Sequence, residues 1–272
     1  MTPAERAARY IPSGVQTYSK APSRYPEGAP QFIAHATGAY VVDVEGREYL
    51  DYVSGLGAII LGHQDPDVDA AVRDQLNRGI CFPTATEIEG ELAELLCEII
   101  PCAEMVRYAK NGVDATSAAV RIARAATGRE RIGSTGYHGY SDWTIAHQNP
   151  KGVPDSCREV LWPVRYGELE ALEALFTYPP KVPACLIMGP VVNANPVLPP
   201  DGYLQGVRDL CTKYGVILIF DELVTGFRMH LGGAQTLYGV TPDLACFGKA
   251  MANGYPISAV VGRRDLMNLL DE

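Results

Sequence analysis

Two side chains in the C-terminal half of the sequence carry its most specific chemistry. An apolar run, Val216 to Phe220, ends on Asp221 and Glu222, and 28 positions after Asp221 a lysine, Lys249, stands between Gly248 and Ala250. The run reads as a buried strand, which places both carboxylates at its carboxyl end. In a parallel α/β sheet, ligands sit off the carboxyl ends of the strands. A carboxylate there, with one lysine among small residues, suits pyridoxal phosphate (PLP) held as a Schiff base with its pyridine nitrogen on the acid. Asp221 alone reads better as a strand-end carboxylate capping a loop; Lys249 and the intervening glycines overturn that. Free lysine has a pKa near about 10.4 and is a poor nucleophile at neutral pH. Desolvation among small residues would lower it.

Two further turns could serve the same ligand. Asn111-Gly112-Val113-Asp114 follows a short strand candidate, Met105 to Lys110, and opens a helix that runs to about Thr127. Such a turn aims backbone N–H groups and a helix N-terminus at an anion. Gly136-Tyr137-His138-Gly139 sets an aromatic ring between glycines, and the face of an aromatic suits a flat, electron-poor ring; the plain alternative is a core tyrosine. His63, in Gly62-His63-x-x-Pro66, reads as a structural loop histidine. A nicotinamide-binding reading fails, since no G-x-G-x-x-G joins an early strand to a helix.

From Gly215 to Gly262 these residues fall into a long ordered pattern: an apolar strand, Asp221-Glu222, Thr225-Gly226-Phe227-Arg228, Gly232-Gly233-Ala234-Gln235, Pro242-Asp243-Leu244 and Gly248-Lys249. This stretch resembles the class III aminotransferases of PLP fold type I, and within them the glutamate-1-semialdehyde aminomutase-like branch. The resemblance runs from about Ile11 to the end of the chain. It implies an α/β fold, a large domain with a mostly parallel central sheet flanked by helices. It also implies PLP as cofactor, an amino donor and a carbonyl acceptor as substrates, and a homodimer. By resemblance, Lys249 is the Schiff-base lysine and proton carrier, and Asp221 keeps the pyridine nitrogen protonated. Asn111, Gly112 and Val113 hold the phosphate, Tyr137 stacks on the ring, His138 neighbours the cofactor, and Leu223 or Val224 packs on the opposite ring face. Arg228 is structural.

The sequence also departs from the family pattern. Val113 stands where a Ser or Thr hydroxyl usually binds the phosphate, and a hydrogen bond to a charged group is worth about 1.5–3 kcal/mol. Gly189-Pro190-Val191 replaces the usual Glu-Pro-x, so the strand-end glutamate is missing. Gly55-Leu56-Gly57-Ala58 replaces Ser-Trp-Gly-Pro, and the substrate arginine aligns near Lys20, a less specific contact for a carboxylate. Most of the C-terminal small domain, and the threonine that a neighbouring subunit lends to the phosphate, have no counterpart. Three readings follow. The first is intermolecular amino transfer. The second is an aminomutase. The third is a truncated, catalytically silent subunit of the same fold.

The elements that must position these residues are partly visible. Prolines 12, 22, 26 and 30 argue against a long helix in residues 1 to about 37, an arm. Ala39 to Tyr52 reads as a hairpin of two strands around Glu45-Gly46. Asp67 to Arg78 and Glu87 to Ile100 are periodic helices, the second opened by a Thr86/Glu89 capping box. Glu168–Phe176 and Asp201–Tyr214 are helices, the latter capped by Gly215, and Pro183–Pro190 is a strand. Strand, helix, strand in this order builds a largely parallel sheet. The expected division is an arm-and-hairpin segment over 1–60, part of the small domain, and a PLP-binding domain over 61–272.

The chain has 272 residues, 47% hydrophobic and 20% charged, with a formal charge of −9. That balance gives no electrostatic case for nucleic acid. The seven cysteines are scattered with no CxxC pair and are read as reduced and buried in a cytoplasmic protein. The N-terminus lacks an apolar signal core. The longest apolar stretch, around Val182 to Val192, is too short for a bilayer, so no membrane association is expected.

Overall fold

The computed structural model describes residues 1–177, 182–192 and 197–270. Within it the chain forms two compact units, Met1–Ile80 and Cys81–Glu272. The helix over Pro66–Arg78 lies within the N-terminal unit.

The N-terminal unit opens with α1 (Pro3–Tyr10), whose start is fixed by a Thr2/Glu5 capping box. No long helix is expected here, and α1 is one short element; the prolines at 12 and 22 open the 3-10 turns that follow. Then come β1 (Ile33–Thr37), β2 (Tyr40–Asp43) and β3 (Glu48–Leu50), an antiparallel sheet in that order. The expected hairpin is β2–β3, and β1 adds a strand on its other edge. Buried Asp43 organises the hairpin turn: Oδ1 accepts from the amides of Glu45 and Arg47, both at 2.9 Å. Its Oδ2 accepts from Arg47 Nε at 2.8 Å and Tyr49 Oη at 3.1 Å. A short α2 (Ser54–Gly57) and α3 (Pro66–Arg78), capped by Asp65, complete the unit. His63 Nε2 lies 2.8 Å from Asp51 Oδ2 and its backbone pairs with Gly38, a loop tether as expected. Lys20 Nζ donates to Gln16 Oε1 at 3.1 Å.

The C-terminal unit holds α4 (Glu87–Ile99), β4 (Met105–Ala109), α5 (Gly112–Thr127), β5 (Ile132–Thr135), α6 (Asp142–Ile145) and α7 (Asp155–Val160). It continues through β6 (Leu161–Pro163), α8 (Leu169–Thr177), β7 (Cys185–Met188), α9 (Tyr203–Tyr214), β8 (Ile217–Asp221) and α10 (Ala234–Tyr238). It closes with β9 (Leu244–Phe247), β10 (Ser258–Gly262) and α11 (Arg264–Met267). The seven strands form one sheet in the order β4-β10-β9-β8-β7-β5-β6. Strands β9, β8, β7, β5 and β6 pair in parallel, and β10 runs antiparallel to both its neighbours.

Side chains of a strand alternate between faces, and both faces of this sheet are covered. On one, Leu186, Met188, Leu218, Phe220 and Phe247 pack with Leu96 of α4, Leu172 and Phe176 of α8, and Leu204, Val207 and Cys211 of α9. On the other, Cys185, Ile187, Ile219, Cys246 and Val260 pack with Ala115, Ala119, Val120, Ile122 and Ala123 of α5. Double coverage is why these strands read as continuous apolar runs. Each buried Leu, Ile or Phe contributes about 1.5–3 kcal/mol. Gly215 ends α9 in the left-handed region, φ +60°, as a C-cap. The cysteines depart from expectation in part: Cys102, Cys185, Cys211 and Cys246 are buried, Cys97 and Cys157 half-buried, and Cys81 exposed. Cys81 lies outside any helix or strand, in the segment before α4, and has no face to bury. Among the described residues no helix is long and apolar enough to cross a membrane.

Candidate functional site

Because β4, β5, β7, β8 and β9 share one direction, their carboxyl ends open on one side of the sheet. The turns leaving those ends enclose a cavity of about 530 Å³. Asn111, Gly112 and Val113 line it after β4; Tyr137 and His138 after β5; Asp221, Leu223 and Val224 at and after β8; Lys249 after β9. All nine residues singled out from the sequence border this one hollow.

Asp221 is 7% exposed. Its Oδ2 lies 2.6 Å from His138 Nδ1, and its Oδ1 accepts from the Leu223 amide at 3.2 Å. Lys249 begins a 3-10 turn in the left-handed region, φ +49°. Burial pushes its ammonium below the usual lysine range; the Asp221 charge opposes that shift and the Arg228 charge adds to it. The amine and the acid are therefore within electrostatic reach across the same cavity.

Two glycines hold this geometry open. A Cβ at Gly112 would lie 2.5 Å from Leu223 Cδ1, and one at Gly248 would lie 2.8 Å from Leu223 Cδ2. Leu223 is wedged between the turn that starts α5 and the turn that carries Lys249. The α5 turn is built by a reciprocal Asn111/Asp114 capping box, and Ser258 Oγ, at the start of β10, donates to the Asn111 carbonyl at 2.7 Å. A helix leaves its first N–H groups without intrahelical partners, and here those belong to cavity-lining Gly112 and Val113. Val113 has no hydroxyl, and its side chain instead fills the space beside Gly139, where a Cβ would meet Val113 Cγ2 at 2.5 Å.

Tyr137 is 63% exposed, so it stands at the edge of the cavity and is not a core aromatic. His138 is 4% exposed, and its contact is with Asp221. The far wall includes Gly189 and Val191, at the strand end where the sequence lacks the family's glutamate, and Val164, Tyr166 and Val192, which sequence reading does not find. Tyr166 Oη donates to the Pro190 carbonyl at 2.6 Å, so its polar atom is occupied. Recognising Leu161–Pro163 as a strand would have placed Val164 and Tyr166 at a strand end. Glu222, fully buried, also went unassigned. It accepts from the amides of Ala234 and Gln235 at 2.9 and 3.0 Å and from Thr225 Oγ1. Burial raises its carboxyl above the usual range.

Comparison with known proteins agrees with this architecture. The family model for class III aminotransferases matches residues 23–272. A 3-aminobutyryl-CoA aminotransferase of Cloacimonas acidaminovorans is 41% identical over 270 residues, covering 98% of this chain and 65% of its own. A glutamate-1-semialdehyde 2,1-aminomutase of Lachnoclostridium phytofermentans is 40% identical, with 98% and 65% covered. Among solved structures, an omega-transaminase from Sphaerobacter thermophilus superposes with a TM-score of 0.90 at 33% identity, covering 99% of this chain and 65% of that one. The FumI protein of Sphingopyxis sp. MTA144, solved in its PLP internal aldimine form, gives 0.93 at 32% identity, with 99% and 66% covered. A parallel sheet with an acid and a lysine at its strand ends defines a class of ligand-binding α/β fold. Within it, this chain belongs to the class III aminotransferase family. It spans about 65% of the length of the curated relatives it matches.

Proposed function

We propose that the chain binds PLP and moves an amino group from an amino donor to an aldehyde or ketone. The observation that carries this reading is the placement of Lys249 and Asp221 in one cavity, with the lysine's proton affinity lowered by burial. When bound, PLP supplies an aldehyde for the lysine and an electron-accepting ring. The residues fit it: a lysine that burial makes nucleophilic, a buried carboxylate for a ring nitrogen, a helix start for an anion and Leu223 or Val224 for a ring face.

Lys249 would hold the cofactor's aldehyde and, as a free amine, would carry a proton within the cavity. Asp221, held by His138 Nδ1 and the Leu223 amide, would face the ring nitrogen. The amides of Gly112 and Val113 would take the phosphate, and Tyr137, at the edge of the cavity, would cover the ring. By the family resemblance the chain works as a homodimer, and its scattered thiols suit the reducing cytoplasm. The purified protein should show visible absorbance after PLP addition, and borohydride should fix one PLP on the peptide that contains Lys249. A colourless protein that takes up none is a silent member of the fold.

The 40% identity to an aminomutase supports a second reading in which the same residues move the amino group within one molecule. Product analysis separates them: amino transfer consumes an acceptor, and the aminomutase needs none.

A further inference from the structure

Thr135 closes β5 and borders the same cavity. The residue is only 6% exposed. Its hydroxyl has no hydrogen-bond partner among the described residues, yet it is not sealed inside the protein. Polar groups this deeply buried ordinarily have a partner, so the hydroxyl is one that a ligand would complete. Other polar side chains of the cavity are already engaged. Asn111 caps α5 together with Asp114, His138 Nδ1 faces Asp221, and Tyr166 Oη donates to the Pro190 carbonyl. Tyr137 and Tyr140 stand exposed at the edge. Thr135 pairs with Met188 on β7, and the next residue there, Gly189, brings no side chain to the wall. On its other side the Val164 amide donates to the carbonyl of Ser134 at 2.8 Å, which sets an apolar residue after β6 beside the end of β5.

The order of the strands says which part of a ring this hydroxyl would meet. On pyridoxal phosphate the ring nitrogen and the aldehyde-bearing carbon are opposite corners. The phosphate arm and the 3-oxygen flank the aldehyde carbon on opposite sides. Here the acid ends β8 and the lysine follows β9, while the helix start that suits the phosphate follows β4, beyond β10. A ring held at those three points turns its 3-oxygen away from β4, toward the ends of β7 and β5. Resting on the PLP reading above, we infer that Thr135 is a cofactor-binding residue: its Oγ1–H donates to the 3-oxygen and so fixes the edge of the ring opposite the phosphate arm. The oxygen carries negative charge when it has lost its proton, and a hydroxyl donor on a nearly dry wall of valines and glycine is then a strong partner for it.

Two substitutions and two probes test this by equilibrium binding, with no turnover required. Thr135→Val keeps the shape and removes the hydroxyl; Thr135→Ser keeps the hydroxyl. Each protein is titrated with PLP and with 3-deoxypyridoxal phosphate, in which hydrogen replaces the 3-oxygen. For PLP, the Val variant should bind about tenfold more weakly than wild type, and the Ser variant within about threefold of it. For the deoxy probe, wild type and the Val variant should agree within about threefold, because the bond has lost its acceptor. A Val variant that binds PLP as wild type does overturns the inference and leaves the PLP reading standing. Equal loss for both probes also overturns it, since the hydroxyl then acts through packing and not through the 3-oxygen. A wild-type chain that takes up neither probe overturns the PLP reading, and the inference with it. Circular dichroism melting checks that the variants fold; Thr135→Ala, with the same expected losses, replaces a Val variant that does not.

Discussion

Asp221 and Lys249 oppose each other chemically. Burial drives the lysine toward its neutral, nucleophilic form, while His138 and the Leu223 amide hold the two oxygens of the acid. Asp221→Ala should therefore lower kcat by about 10²–10⁴ and PLP affinity far less, since ring protonation matters most when the donor carbon loses its proton. Glu222, next in sequence, points elsewhere and serves stability. Its folded carboxyl lies above its ordinary value of 4.5. The folded chain then binds more protons than the unfolded one at this site, so its contribution to stability falls as pH rises above 4.5. The slope of stability against pH just above 4.5 should thus be less negative in Glu222→Ala. That variant also leaves the Ala234 and Gln235 amides unpaired, at about 1–3 kcal/mol each; urea unfolding at several pH values checks both. Asp221 and Lys249 were legible from the sequence because both end apolar or glycine-bounded segments. The His138–Asp221 contact was not, because it joins residues 83 positions apart.

At the scale of elements, the long, strongly patterned pieces were readable and the short ones were not. Helices α3, α4, α5, α8 and α9 fall within one or two residues of expectation, since periodicity and capping boxes mark them. Strand β5 escaped because Ile132 is its one large apolar side chain, and β6 because Leu161–Pro163 is only three residues long and ends on proline. The sheet, not local preference, makes them extended. Strand β1 escaped because the prolines before it coloured the whole arm. The glycine turns offer a sharp test. Gly112→Val should displace Leu223, costing about 1–3 kcal/mol of stability and weakening PLP binding together. Gly128→Ala, at a cap where a Cβ meets nothing but φ is +65°, should cost stability and leave PLP binding unchanged. Calorimetry and cofactor titration on both variants separate the two effects.

At the scale of the molecule, the two units differ in how they are held. The C-terminal unit has a core on both sides of its sheet, whereas the N-terminal unit buries chiefly Ala21 and Asp43 and exposes Tyr10, Tyr18, Tyr40, Leu50 and Tyr52. A segment with so little core of its own is stabilised by what covers it. If the proposed homodimer forms, sedimentation should show twice the chain mass, and dilution toward monomer should open residues 1–80 to protease before 81–272. PLP at about a hundred times its dissociation constant should stabilise the C-terminal unit by about 2.7 kcal/mol. The fold class was legible because strand–helix alternation is a whole-chain signal. The exposure of the first unit was not, since its apolar residues look no different from core residues until neighbours are known.

The antiparallel β10 sets a distance. It separates β4 from β9, so the helix-start turn and the lysine turn stand two strand spacings apart, about 9.5 Å. On the proposed PLP reading, the sheet is a gauge for molecular length. An aldehyde that reaches only the lysine margin, such as pyridoxal without its phosphate, leaves the opposite margin untouched, and the gauge should reject it by weak binding even though its reactive end is identical.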